Sequence, residues 1–383
     1  MRIIDILPRR LRVKTLLKWQ SFSISIVWLT KFNWILPKRE IVARRLDTAH
    51  PRIRCRFGIV MVNMRALEIN EPSGLPALVD RPSPTPLAGQ IRIRVSATAL
   101  NFADILMIEN RYQDMPPFPL VPGLEVAGIV DEVGGEVTGF KPGTRVAAQC
   151  GHGGLAEYVV ADAEAVLPLP DAIDDTVGAA FQIAYGTSYL ALARRGRLAK
   201  GETLVVLGAA GGVGLTAVEV GKALGARVIA VARDEHRLSV AKAAGADVLI
   251  NSGATADLRT ALKSAGPPDV IFDAVGGKDG EDALRSLRPE GRHLLIGFAS
   301  GDLPTLRPNH LLVKNIDVIG VNWGGYPAFE PQAARNCLKT LVEWFCDGRI
   351  RPHIGKVLTL DQAAEALDIL RNRQATGKIV VTQ

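Results

Sequence analysis

Between residues 203 and 321 the chain repeats one texture: a short apolar run, a turn, then an amphipathic stretch. The apolar runs are TLVVL (203–207), RVIAVA (227–232), DVLI (247–250), DVIFDA (269–274), RHLLIG (292–297) and IDVIGV (316–321). Runs this short, and this rich in β-branched residues, read as buried strands. Strands joined by helices lie parallel, because each crossover returns the chain to the same end of the sheet. The pattern predicts an α/β fold of six parallel strands with helices on both faces, the count of a complete dinucleotide-binding fold.

The first turn carries the chemistry. After strand 203–207 the chain reads Gly208-Ala209-Ala210-Gly211-Gly212-Val213-Gly214. The informative spacing is Ala209, Gly211 and Gly214. Gly211 lets backbone approach a pyrophosphate, and Gly214 lets a helix pack closely on its strand. The first position needs only a small residue, so Ala209 can serve there. Gly212 and Val213 then open a helix whose free N–H groups and positive dipole end face bound phosphates.

The second strand identifies which nucleotide fits. Folds selective for NAD end this strand in an acid that accepts from the ribose 2′-OH. Here the end reads Ala232-Arg233, with Arg237 four residues on. Arginines bind a phosphate bidentately, whereas an acid repels it. The expected cofactor is therefore NADPH.

The rest of the chain frames this unit. Residues 64–170 are dense in short β-like runs, among them the alternating IRIRVSATAL (91–100), and read as an all-β lobe. DTVGAAFQIAYGTSYLALARRG (175–196) is helix-like. A helix (331–347), a second helix (361–373) and a last strand, GKIVVTQ, are expected to return to the first lobe. A composition 48% hydrophobic and 22% charged is ordinary for a globular chain, and no run is long enough for a membrane span.

The net charge of +7 belongs to a prefix. Residues 1–63 are strongly basic, whereas 64–383 are net acidic, so nucleic-acid binding is not inferred. The prefix has three readings: a targeting segment (Arg9-Arg10 before SFSISIVWL), a basic arm for anionic membranes, or a start codon assigned upstream of Met61 or Met64. Cys55, Cys150, Cys337 and Cys346 are scattered without a C-x-x-C pair, which suits a reducing, cytoplasmic setting without structural metal.

From Met64 to Gln383 the chain resembles the medium-chain dehydrogenase/reductase superfamily, and within it the zinc-independent quinone oxidoreductase (zeta-crystallin-like) branch. The likeness is carried by ordered stretches that include ALNFADILMIENRY (99–112), VPGLEVAGIVDEVG (121–134), AYGTSYLAL (184–192), VLGAAGGVG (206–214), LLVKNIDVIGV (311–321) and ATGKIVV (375–381). It implies a GroES-like β-rich catalytic domain (64–187 and 322–383) plus a Rossmann coenzyme domain (188–321).

Zinc-dependent relatives place a Cys in C-x-x-D and a His in G-H-E-x-x-G. Here those motifs read Asn101-Phe102-Ala103-Asp104 and Gly123-Leu124-Glu125-Val126-Ala127-Gly128, and no Cys or His occurs between 153 and 235. No metal is expected, and His152 alone makes no zinc site. Without a Lewis acid the easier reaction is hydride delivery to an electrophilic quinone or conjugated enone, with hydrogen-bond donors receiving the developing charge.

The resemblance implies catalytic roles for Asn101, whose amide can donate, for Tyr112 as a donor or proton relay, and for Asp104 in orienting Asn101 or a loop. It implies that Asn101, Thr187, Phe298, Asn315 and Lys378 lie near the cofactor, beside the turn residues and Arg233 and Arg237. Ser252 replaces a tyrosine that often covers the adenine, and Leu106 replaces an aromatic used near the nicotinamide. A homodimer is implied, with strand 316–321 pairing edge to edge with its mate. Two other functions stay open: an enoyl-thioester (acyl-CoA) reductase and a non-catalytic NADPH-binding protein.

Overall fold

Apolar strands with two buried faces dictate the parallel-sheet part of the molecule. The computed structural model describes residues 63–383. The readings of the basic prefix thus fall outside the described residues, except for Asn63, which begins the first strand. Six parallel strands form one sheet in the order Val248–Asn251, Arg227–Ala232, Thr203–Leu207, Val270–Asp273, Arg292–Leu295 and Asp317–Gly320. Alternate residues feed opposite layers, as a pleat requires. Leu204, Val206, Val228, Ala230 and Phe272 join one core with the helices Gly212–Ala223 and Glu235–Ala243. Val205, Leu207, Ile229, Val231 and Ile271 join the other with Leu258–Ala265 and Gly277–Ser286. The chain is doubly wound, and its strand order reverses beside Thr203–Leu207. Ligands of such sheets bind at that reversal, beyond the carboxyl ends of the strands.

A second sheet runs Ile354–Thr359, Lys378–Thr382, Gln90–Ala99, Glu125–Val133, Arg145–Gln149 and Val166–Pro168, with Tyr158–Asp162 also paired to Gln90–Ala99. Its topology depends on the chain terminus. Lys378–Thr382 pairs antiparallel with Gln90–Ala99, setting Val380 opposite Ala99. Just before it, the Gly377 amide donates to the Ala210 carbonyl in the nucleotide turn at 2.8 Å. One strand therefore belongs to the β-rich lobe and touches the parallel one.

The helix-like stretch 175–196 divides. Asp174 caps a short helix, Asp175–Ala179, through the Val177 amide. A second helix, Gln182–Tyr189, follows and widens into a π-helical turn, Leu190–Arg195. The division has a tertiary cause: the Ile183 amide, in the first turn of the second helix, donates to Glu125 at 2.9 Å. A further helix, Phe102–Ile108, was not legible in the alternation of apolar residues.

The helices Gln182–Tyr189 and Gly212–Ala223 are joined by a half-buried polar contact. The Tyr185 hydroxyl donates to Glu219, whose other oxygen accepts from the Arg351 amide at 3.1 Å. Burial pushes the Glu219 carboxyl up to about 7, against the pull of both hydrogen bonds. The folded chain then holds this proton more tightly than the unfolded one. The associated stability is complete below the ordinary carboxyl range and is lost as pH rises through about 7. Glu219→Gln, which keeps an acceptor but cannot ionise, is expected to flatten the fall of the urea midpoint from mildly acidic to neutral pH. A slope equal to that of the wild type would contradict it.

Candidate active site

The nucleotide turn is shaped by what its glycines exclude. Ala209 and Ala210 are buried, and the Ala209 amide is already bound to the Val231 carbonyl at 3.1 Å. A Cβ on Gly214 would overlap the Gly208 carbonyl oxygen, so only glycine permits this approach of helix and strand. Gly208 itself has φ +70, the left-handed region that glycine tolerates. A Cβ on Gly211 would meet nothing nearer than 3.4 Å, leaving that backbone open on its outer side. The first-turn amides, including those of Gly212, Val213 and Gly214, have no acceptor within an α-helix. The turn presents donors to an anion.

Arginines gather at the end of the second strand. Arg233 and Arg237 both donate to the Arg373 carbonyl, Arg237 at 2.9 Å. Asp234 caps the following helix through the Arg237 amide at 2.8 Å and pairs with its guanidinium at 2.6 Å. The acid next to this strand end is thus consumed by capping. Partial burial first, then the charges of Arg237 and Arg373, holds the Arg233 guanidinium below its ordinary range. Arg373 comes from the chain's last segment and was missed. Its signal, the pair Arg371 and Arg373 just before the last strand, is a solvated charge run until the fold brings it here.

Beside the nucleotide turn lies a buried polar cluster. Lys378 and Glu125 form an ion pair at 2.9 Å with side chains 5% and 0% exposed. Lys378 Nζ also donates to Asn101 Oδ1 at 2.7 Å and to the Leu100 carbonyl at 2.8 Å. Asn101 Nδ2 donates to Glu125 Oε1 at 2.9 Å. Asp104 accepts from the Asn101 and Gly123 amides, both at 2.8 Å. Burial pushes the Asp104 carboxyl up to about 7, opposed by these amides and by Lys378.

These contacts define the surroundings of three expected site residues. Asp104 is fully buried, and its carboxylate braces the backbone around Asn101 and Gly123 rather than reaching a reactant. The three protons of the Lys378 ammonium face Leu100, Asn101 and Glu125, while its stem lies near the turn. Asn101 is a partner in this cluster: its side-chain amide donates to Glu125 at 2.9 Å and otherwise meets only the Ala99 carbonyl at 3.4 Å. Glu125 lies within a stretch that suggested family likeness, yet its role was invisible. A glutamate between apolar residues reads as a strand position until three donors from separate segments meet it.

The other residues scatter by sheet geometry. Phe298 follows the strand Arg292–Leu295 and packs against Gly276, on the carboxyl side of the sheet where the turn lies. Thr187 is buried, its hydroxyl bound to the Ile183 carbonyl within its own helix at 2.6 Å. Asn315 is misassigned as a cofactor residue. It precedes the strand Asp317–Gly320 and so sits at the opposite, amino end of the parallel sheet. Its φ of 54 explains an asparagine there. Tyr112 is half-buried on the β-rich lobe and faces the loop after the sixth parallel strand: a Cβ on Gly324 would lie 3.7 Å from its hydroxyl. Burial, then Asp114 and Asp104, raises its phenol. Leu106 lies on the helix Phe102–Ile108, and Ser252 donates its amide to the Ala232 carbonyl at 2.9 Å.

Among the described residues no group of three or more His, Cys, Asp or Glu side chains is placed to hold a metal ion, and His152 is exposed. Cys150, Cys337 and Cys346 are free thiols. No helix among these residues is long and apolar enough to cross a membrane.

Comparison with known proteins agrees with this geometry. Residues 87–171 match the alcohol dehydrogenase GroES-like domain, and residues 212–343 match the zinc-binding dehydrogenase domain. A quinone oxidoreductase-like protein 2 homolog of Nematostella vectensis is 36% identical, covering 83% of this chain and 88% of the relative. A quinone oxidoreductase of Sus scrofa is 32% identical over 84% of this chain and 98% of its own. Among solved structures, the quinone oxidoreductase of Thermus thermophilus, also solved with NADPH, is 34% identical. It covers 83% of this chain and 100% of its own, with a TM-score of 0.74. A mycobacterial protein complexed with NADPH is 27% identical and covers 84% of this chain and 100% of its own, with a TM-score of 0.78.

The overlap at Gly214 makes a direct prediction. Gly214→Ala forces the helix off its strand and is expected to cost about 1–3 kcal/mol of stability, as overpacking of a tight contact does. A urea midpoint equal to that of the wild type would show that the turn yields freely.

Proposed function

From the membership of this chain in the medium-chain dehydrogenase/reductase superfamily, in its quinone oxidoreductase-like branch, we propose a zinc-independent reductase that uses NADPH to reduce a quinone or an α,β-unsaturated carbonyl compound. The observation that carries this reading is the pairing of an open glycine turn with Arg233, Arg237 and Arg373 at the end of the second strand. The residues present fit a phosphorylated dinucleotide. Amides of Gly212, Val213 and Gly214 suit its pyrophosphate, and the arginines suit a 2′-phosphate, which would replace the Arg373 carbonyl as their partner. The NADPH complexes of two structural relatives support the assignment.

Reduced nicotinamide, when bound, supplies a hydride. The chain's own residues choose what receives it. At the positions where zinc-dependent relatives carry Cys and His stand Asn101 and Leu124. The Lys378 ammonium lies 2.7 Å from Asn101 Oδ1. A fixed cation beside that position opposes a divalent ion, and an amide and an alkyl group are poor zinc ligands. A site so built favours acceptors that are electrophilic before they bind. The raised Tyr112 phenol stays protonated near neutrality and can donate toward a developing negative oxygen.

Residues 64–187 with 322–383 form the catalytic part of this proposal, and 188–321 the coenzyme part. The edge strand Asp317–Gly320, flanked by exposed Leu312 and Val313, suits pairing in a homodimer. A cytoplasmic setting accords with the free thiols.

NADPH consumption against quinones, small enones and crotonyl-CoA tests the reading. Turnover is expected with the first two groups and weaker or absent with the thioester. Arg233→Ala with Arg237→Ala is expected to weaken NADPH binding about a hundredfold, as loss of two charge-assisted contacts implies, and to leave NADH binding nearly unchanged. Equal losses for both nucleotides would remove the 2′-phosphate assignment.

A further inference from the structure

We propose that Lys378 is a positioning residue for Asn101: together with Glu125 it locks the carboxamide in one orientation and leaves one amide N–H as the donor offered to the acceptor carbonyl. The inference rests on the reductase reading above but comes from contacts that reading does not use. An ammonium has three protons and no lone pair. The three protons of Lys378 meet Leu100 O at 2.8 Å, Asn101 Oδ1 at 2.7 Å and Glu125 Oε1 at 2.9 Å. A flipped Asn101 would set its NH₂ group against these N–H donors and its carbonyl against the Glu125 carboxylate. Both contacts would be repulsive, so chemistry fixes the orientation.

In the allowed orientation the two amide protons are unequal. One goes to Glu125 Oε1 at 2.9 Å. The other has only the Ala99 carbonyl at 3.4 Å, beyond the usual range for an N–H···O bond. The strong acceptor Glu125 holds the first proton, and the ammonium on Oδ1 polarises the amide and makes the second proton a better donor. The lock is also tied to the nucleotide turn. A Cβ on Gly212 would lie 3.2 Å from Lys378 Cδ, and the preceding Gly377 amide donates to Ala210. The residue that orients the donor is thereby held in register with the turn.

Removing Lys378 alone would leave a buried, uncompensated Glu125, a change severe enough to block folding. The test therefore uses the neutral pair Lys378→Met with Glu125→Gln, alone and combined with Asn101→Ala. The first readout is the side-chain amide signal of Asn101 in ¹⁵N-labelled protein, identified by its loss in Asn101→Ala. Wild type should show two well-separated proton shifts with one proton slow to exchange, and the neutral pair should move both toward free-amide values. The second readout is kinetic. The neutral pair should lower kcat/KM for the acceptor by about tenfold or more with KM for NADPH within about threefold. It should change kcat/KM by less than about twofold once Asn101 is already alanine.

An unchanged amide signal in the neutral pair overturns the lock, as do losses that multiply with those of Asn101→Ala. If wild type reduces no quinone or enone, the reductase reading fails, and the amide signal still decides whether Lys378 orients Asn101.

Discussion

The architecture turns on a single stretch of backbone, Gly377 to Thr382. Its first amide bonds the nucleotide turn at Ala210, and its strand pairs with Gln90–Ala99 in the β-rich sheet. Between these contacts the Lys378 side chain turns into the buried cluster of Asn101 and Glu125. Gly377 adopts φ +64, and a Cβ there would press on the His353 backbone and ring, so no larger residue can make the passage. The spacing between the phosphate-facing turn and the Asn101 cluster is bridged by one hydrogen bond at Ala210 and the covalent step from Gly377 to Lys378.

That constraint explains how the chain sustains charge in its interior. An isolated buried ion is costly, and a buried pair is tolerated only when its remaining polar atoms are satisfied. Glu125 meets the condition with three donors drawn from Lys378, Asn101 and Ile183, residues far apart in sequence. The Ile183 amide lies in the first turn after the helix break at residues 180–181, so the same carboxylate serves the site and the fold. Asp104, one turn into the helix after Asn101, bonds the Asn101 and Gly123 amides and fixes the two loops that carry the cluster. The arginine cluster differs in being near solvent. Arg233 and Arg237 lie near the surface and converge on a main-chain carbonyl, an arrangement that an incoming phosphate improves.

Much of this was readable along the chain because it depends on local period and residue size. Six apolar runs announced six parallel strands, and the observed boundaries lie within a residue or two of those runs. The turn of Ala209, Gly211 and Gly214 was legible because backbone approach demands small residues wherever it occurs. Arg233 was legible because it ends a strand whose neighbour in sequence is the turn. The division of the stretch 175–196 was not, since its cause is Glu125 on a different strand. Asn315 was misplaced because likeness of a segment says nothing of which end of a sheet it occupies.

The amino-acid sequence by itself determined the class of fold, the phosphate-facing turn and the presence of Asn101 and Leu124 where zinc-dependent relatives carry Cys and His. All of these follow from interactions over a few residues, where side-chain size and periodicity act directly. Only the tertiary structure decided that Lys378 faces Asn101 and Glu125, that Asp104 braces two backbone segments, and that the Arg373 carbonyl meets Arg233 and Arg237. Those roles depend on which hydrogen-bond donors and acceptors are left together once water is excluded. That outcome is fixed by contacts spanning up to 278 positions in the chain, as for Lys378 and Leu100, and no local pattern encodes it.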